Sequence, residues 1–378
     1  VNTGKNITII GNSFENIGQL ETNGGQISIA AIAPIGFASL GKSGELLSVE
    51  SQPDDIIDRN ASNIGTAIVR GKIDASSLQP GMGGKIIVLG ERIGLLENSL
   101  FNVSGSAGGG EIKIGNIDTI ATYIDPKASL NADALITGNG GKITVAATES
   151  NRVYGSFSAK GGVNNGNGGM LETSGNNFLD ITGIAVDTNA SNGLNGNWLL
   201  KGGNIVFGSS AASNNNAIFQ PTFNNTILDN STIEKQLSAG NNIAIAATQT
   251  GKGAGNIKAD TVNILTTNNR SVTLTLQANN DINIASGNVQ STLHPLGIVL
   301  QASGNISLGN GSKRSFEIQT RGGKFTASAN DFILLSGAEI MSNNTSINDS
   351  EPIELVTAGS VVINSSGIVK STDGAGNS

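Results

Sequence analysis

One short phrase recurs from end to end of this chain: a Gly or Asn pair, one spacer, then residues that alternate apolar and polar. It reads "GKNITI" at 4–9, "GGQISI" at 24–29, "GGKIIV" at 83–88, "GGEIKI" at 109–114, "GGKITV" at 140–145 and "GGNIVF" at 202–207. Further along it reads "GNNIAI" at 240–245, "NNDINI" at 279–284, "SGNISL" at 303–308 and "GGKFTA" at 322–327. Alternation places successive side chains on opposite faces of a strand, so each phrase predicts a strand with one buried face. Further short strands fall between the phrases, at 67–76, 262–267, 271–277 and 315–320. No helix is predicted between them, and so few residues cannot close a core alone.

Stacking solves that problem. A parallel β-helix lays each turn on the one before, with Ile and Val stacked inside, Thr, Ser, Lys and Glu outside, and Gly and Asn at the bends. Ile7 and Ile27 are one repeat apart, and Ile257, Ile282, Ile306 and Phe325 continue the spacing, at a period of about 20–25 residues. The expectation is an all-β, right-handed parallel β-helix of roughly 15–19 turns and roughly 70–90 Å. In it Ile86, Ile112, Ile143, Ile243 and Ile306 would share one axial stack. The organisation expected is one continuous shaft over residues 1–378, with loop excursions at about 40–62, 115–139 and 208–242. In "STIEKQLSAG", Ser231 and Glu234 fit a capping box and Gly240 a C-terminal stop, predicting a short helix at about 232–239.

Composition sharpens the picture. The 378 residues include 52 glycines, 13% charged residues and 4% aromatics, so the outside of the shaft is mostly neutral and polar. A net charge of −7 and no basic block with interleaved aromatics argue against nucleic acid as a partner. No apolar run is long enough to cross a membrane as a helix, so no membrane insertion is expected. The absence of cysteine removes disulfides and thiolate metal sites.

Candidate chemistry is sparse. "GFASLGKS" at 36–43 fits the phosphate-loop pattern at Gly36, Gly41, Lys42 and Ser43, but that loop needs a helix after it. Pro53 and the acidic group Asp54, Asp55 and Asp58 leave no room for one, so the group reads as a solvated loop and the glycines as corners. His294, the single histidine, stands beside Pro295 and reads as a turn position. The absence of cysteine excludes Cys–His pairs, and a serine triad could use only His294, whose turn position argues against it. Trp198, Tyr123 and Tyr154 could stack on sugar, yet are scattered in sequence and read as core or edge packing. Glycosylation sequons at Asn60, Asn102, Asn189, Asn230 and Asn269 carry little weight in a chain this rich in Asn, Ser and Thr. "RGK" at 70–72 and "RGG" at 321–323 are strand-end residues, and no R-G-D occurs. No catalytic, cofactor or metal site is expected.

At 157–175, "FSAKGGVNNGNGGMLETSG" resembles the recurring segment of filamentous-haemagglutinin-like exoproteins of two-partner secretion. The resemblance runs through "GKIDASSLQPGMGGKIIVLGERIGL" (71–95), "LNADALITGNGGKITVAA" (130–147), "NGLNGNWLL" (192–200) and "STIEKQLSAGNNIAI" (231–245). It departs from that family after Leu200, where Lys201-Gly202 stands in place of an Asp-Pro pair. The family's secretion domain is not in this chain, so the resemblance implies an internal segment of a longer exoprotein. It further implies passage through a dedicated outer-membrane transporter of a Gram-negative-type bacterium and a secreted or cell-surface location. The role implied is attachment to surface glycans or proteins, with self-association open. The alternative is a carbohydrate-active β-helix, a lyase or hydrolase, which would gather carboxylates in a groove.

Overall fold

A computed structural model describes residues 5–32, 37–40, 46–50, 65–77, 80–208, 217–220, 225–248, 253–343 and 351–372. The chain is a parallel β-solenoid of about 10 turns with a single short helix. Each turn visits three sheets, and most steps between paired strands take 22 to 31 residues, from Phe316 to Ala338 up to Ile243 to Leu274, with exceptions such as 20 from Ile7 to Ile27 and 59 from Ile27 to Ile86. Turns are therefore fewer than the 15–19 expected, because a three-strand turn uses more chain than one repeated phrase. Two compact units make up the chain, one over 1–175, 179–197 and 214–222, the other over 176–178, 198–213 and 223–378.

In the first unit, the first sheet stacks Ile7–Gly11, Gln26–Ala31, Lys85–Leu89, Glu111–Ile114, Lys142–Ala147 and Met170–Gly175. Ile27, Ile86, Ile112, Ile143 and Leu171 fall in register along its inner face, all essentially without solvent exposure. Each buried aliphatic side chain contributes about 1.5–3 kcal/mol relative to exposure. The second sheet runs through Thr66–Val69, Arg92–Leu95, Ala121–Ile124 and Ser150–Val153, and the third through Lys72–Asp74, Leu100–Asn102, Ser129–Asn131 and Ser156–Ser158. Residues 115–139, expected to leave the coil, instead carry strands of the second and third sheets in register with their neighbours. Their apolar positions are short and widely spaced, which hid them.

Corners before the first sheet explain the Gly-Gly pairs. A Cβ on Gly84, Gly110, Gly141, Gly169 or Gly196 would stand 2.0–2.1 Å from the carbonyl oxygen of the glycine in the turn before. The pairs are corners with no room for a side chain. Polar groups also enter the core, against the expected sorting. Asn151, fully buried, accepts from Thr122 Oγ1 and donates to the Val145 and Ser174 carbonyls at 3.2 and 2.8 Å.

In the second unit, the second sheet stacks Ile205–Phe207, Ile257–Ala259, Ile282–Ile284, Ile306–Leu308, Phe332–Leu334 and Val361–Ile363. Ile306 pairs with Ile282 and Phe332 there, whereas Ile243 belongs to the first sheet and pairs with Leu274. The five isoleucines are all buried but do not form one stack, because the phrase precedes strands of two different sheets. Phe325 likewise pairs with Ile298 in the first sheet, not with Ile306.

The helix spans Asn230–Ser238, starting earlier than expected. Its cap is Asp229, which accepts from the Thr232 backbone N–H at 3.0 Å, so the Ser231 capping box does not form. Gly240 takes the left-handed conformation just past the end, as expected. Glu234 instead accepts from the Leu265 N–H at 2.9 Å, and Ser238 Oγ from the Thr267 N–H at 3.1 Å. The helix thus covers the edge of the third sheet, formed by Val262–Thr266, and satisfies donors that a further strand would have taken.

Candidate functional site

Three places on the described surface gather side chains that could meet a ligand. The first is a groove of about 820 Å³ in the first unit, running along the glycine corners. Its walls are bare peptide because a Cβ is excluded there. Exposed Met82 and Met170 supply its apolar surface, with Lys142 and the Lys85–Glu111 ion pair at 2.8 Å beside them.

The second lies on the outer face of the first unit's second sheet. Ile68, Gly94, Tyr123, Arg152 and Asp180 occupy one rung of successive strands. Tyr154 follows Arg152 by two residues and so points to the same side. The Tyr123 and Tyr154 rings meet edge to face at 5.9 Å, and the Arg152 guanidinium lies 5.3 and 5.6 Å from their centroids. Arg152 Nε donates to the Tyr154 hydroxyl at 2.9 Å, which donates to Asp180 Oδ2 at 2.7 Å. Burial first, then the Asp180 charge, pushes the Tyr154 hydroxyl above its ordinary pKa, so it stays a proton donor. The two tyrosines, far apart in sequence, are brought together here. The signal for that is register, since Tyr123 and Arg152 are paired positions.

The third is a pocket of about 500 Å³ in the second unit, lined by Asn288, Arg314, Phe316, Glu317 and Glu339 among others. Glu317 and Glu339 are register partners on neighbouring parallel strands, about 4.8 Å apart by strand spacing. Gln290 and Gln319 both donate to the Glu317 carboxylate. Nothing in the linear sequence marked this pair; the turn length aligns it.

The residues singled out from sequence are otherwise placed plainly. Trp198 is fully buried, in the core. His294 is an exposed turn residue whose backbone carbonyl accepts from Asn268 Nδ2 at 3.2 Å. Asp54, Asp55, Asp58 and Asn60 lie outside the described residues, as do Gly36, Gly41, Lys42 and Ser43. Between those last positions, Phe37–Leu40 pairs antiparallel with Leu46–Glu50, so a strand follows the motif where a phosphate loop requires a helix. Asn102 is part-buried and bonded to Asp74, while Asn269 is exposed. Among the described residues no helix is long and apolar enough to cross a membrane.

No protein-family model and no curated protein matches this chain in sequence.

Proposed function

We propose that this chain is a shaft segment of a secreted or surface-displayed, adhesin-like protein, with structural scaffolding and attachment as its role and no catalysis. The observation that carries this reading is the turn-on-turn parallel pairing, in which most inward positions are aliphatic or aromatic and most outward ones are neutral and polar. A solenoid of this kind grows by nearest-neighbour stacking and needs no cross-links, which suits a cysteine-free chain that emerges unfolded through an outer-membrane transporter. The resemblance at 157–175 supplies the two-partner secretion route, and surface glycans or proteins of other cells are the partners it brings. Recognition belongs to what stands out from the coil, since exposed loops on a rigid scaffold carry most binding.

Surface display of the chain, with residues 37–50 or 208–225 removed in turn, tests this. Circular dichroism should show the β-structure intact in each, and fewer adherent cells with either deletion supports a local binding role. Full adhesion with both makes the segment a spacer, and no adhesion by the parent display removes the reading.

The Glu317–Glu339 pair favours one second reading, a carbohydrate-active enzyme. Carboxylates on register partners of adjacent parallel strands can share acid and nucleophile roles at a glycosidic bond. Polysaccharide turnover by the purified chain, abolished in Glu317→Gln, would establish it over the attachment reading.

A further inference from the structure

Residues 217–220 belong to the first unit although they are far from its sheets in sequence. Arg152 Nη1 donates to the Ala217 carbonyl at 3.3 Å across 65 positions of chain. Two residues on, the Phe219 ring lies over Gly94, its Cζ 3.5 Å from where a Cβ on that glycine would be. Gly94 is the one position of the Ile68–Gly94–Tyr123–Arg152–Asp180 rung without a side chain. The missing side chain leaves a notch between Ile68 and Tyr123, and Phe219 fills it.

Gly94 is not held there by its backbone. It is not among the glycines in the left-handed region, and the nearest atom to an added Cβ is the flexible end of Ile68, at 2.9 Å. A β-branched residue would suit a strand better at that position. What glycine provides is the notch. Arg152, itself buried, provides the second point, held in place by the Tyr123 and Tyr154 rings and by its bond to the Tyr154 hydroxyl.

We propose that the outer face between Gly94 and Arg152 is a docking site for an aromatic side chain together with the backbone carbonyl two residues before it, and that its occupant is the chain's own residues 217–220. The site recognises an extended peptide by two features: a ring that seats in the notch, and a carbonyl that meets a guanidinium already fixed by two aromatic faces. Its effect is to hold residues 217–220 on the outer face of the first unit's second sheet at one defined place. The proposal does not rest on the attachment reading, since it concerns what holds residues 217–220 and not what the chain binds.

Chymotrypsin cleavage after Phe219 in the full chain reads the site directly, because cleavage of a transiently released segment follows the population of the released form. In Gly94→Val the new side chain takes the place of the ring, and cleavage at Phe219 should rise about tenfold while the thermal midpoint stays within about 2 °C. Arg152→Gln should raise it as well, by loss of the carbonyl contact. Deuterium uptake at residues 217–220 should rise in both variants, and in Phe219→Ala if Gly94→Val folds poorly. Unchanged cleavage and unchanged uptake in Gly94→Val and Arg152→Gln would overturn the proposal. So would a rise in cleavage spread over the whole chain, which would report global loosening.

Discussion

The same Gly/Asn phrase does different work in the two units. In the first it precedes one sheet: "GGKIIV", "GGEIKI" and "GGKITV" each turn a glycine corner into a strand of the first sheet, and Ile86, Ile112 and Ile143 stack. In the second unit "GNNIAI" and "GGKFTA" enter the first sheet, but "GGNIVF", "NNDINI" and "SGNISL" enter the second. The phrase reports a tight bend followed by a strand. It does not report a turn of the solenoid.

The corners differ physically too. Those of the first unit are closed by glycines packed against the glycines of the turn before, with no atom to spare. A corner of the second unit is closed by hydrogen bonds. Asn268 is fully buried; its Oδ1 accepts from Thr266 Oγ1 at 2.9 Å and Ser291 Oγ at 2.8 Å. Its Nδ2 donates to the carbonyls of Arg270 at 2.7 Å and of His294 and Pro295 in the next turn. Close backbone approach at the first unit's glycine corners and a buried amide at this one solve the same problem, which is to bring two sheets together across a bend.

That difference predicts a ranking. Ile143→Asp, which puts an unpaired charge between two turns of the first unit, should cost about 4 kcal/mol or more and abolish the cooperative urea transition. Gly110→Ala should come next. Its Cβ would lie 2.0 Å from the Gly84 oxygen, so the turns must separate, at about 2–4 kcal/mol. Gly297→Ala, inside strand Leu296–Ala302 of the second unit, meets only the Thr273 side chain, at 3.0 Å and beyond, and should change the urea midpoint little. Asn268→Leu strips the second unit's corner of its amide and leaves buried carbonyls unpaired, for about 2–3 kcal/mol. An equal response of Gly110→Ala and Gly297→Ala would erase the distinction between a closed glycine corner and an open strand position.

The smallest effect sits on the outside of the first unit. Asp74 is held below the ordinary carboxylate range: burial alone would raise it, but hydrogen bonds from Ser76 and Lys72 outweigh that. A lowered folded-state value stabilises above the unfolded value of about 3.9 and loses that contribution as pH falls through the folded one. Asp74→Asn should therefore be less stable than the parent by under about 1 kcal/mol at pH 6–7, and indistinguishable from it near pH 2. Melting curves at the two values check this.

What could be read from sequence follows the same division. The strands of the first sheet in the first unit were legible because glycine pairs and alternating isoleucines mark them twice. Residues 115–139 were not, since Ala121, Ile124 and Leu130 are too few to show a period. The helix was legible from the Ser231–Glu234 pattern and Gly240, but its cap was misplaced because Asp229 lies before the serine that completes the familiar pattern. The sites depended on register, which no single strand encodes. Tyr123 meets Arg152, and Glu317 meets Glu339, only because intervening turns have the lengths they have.

Register is also where the three-sheet assignment is most exposed. Ser307 pairs with Ile333 on the outer rung of the second unit's second sheet, whereas the repeated phrase read as one turn would pair Ser307 with Thr326. In this cysteine-free chain, oxidation of Ser307→Cys/Ile333→Cys and of Ser307→Cys/Thr326→Cys can be compared directly. The first pair should form an intramolecular disulfide and the second should not; a disulfide in the second pair and none in the first would contradict the assignment of these strands to separate sheets.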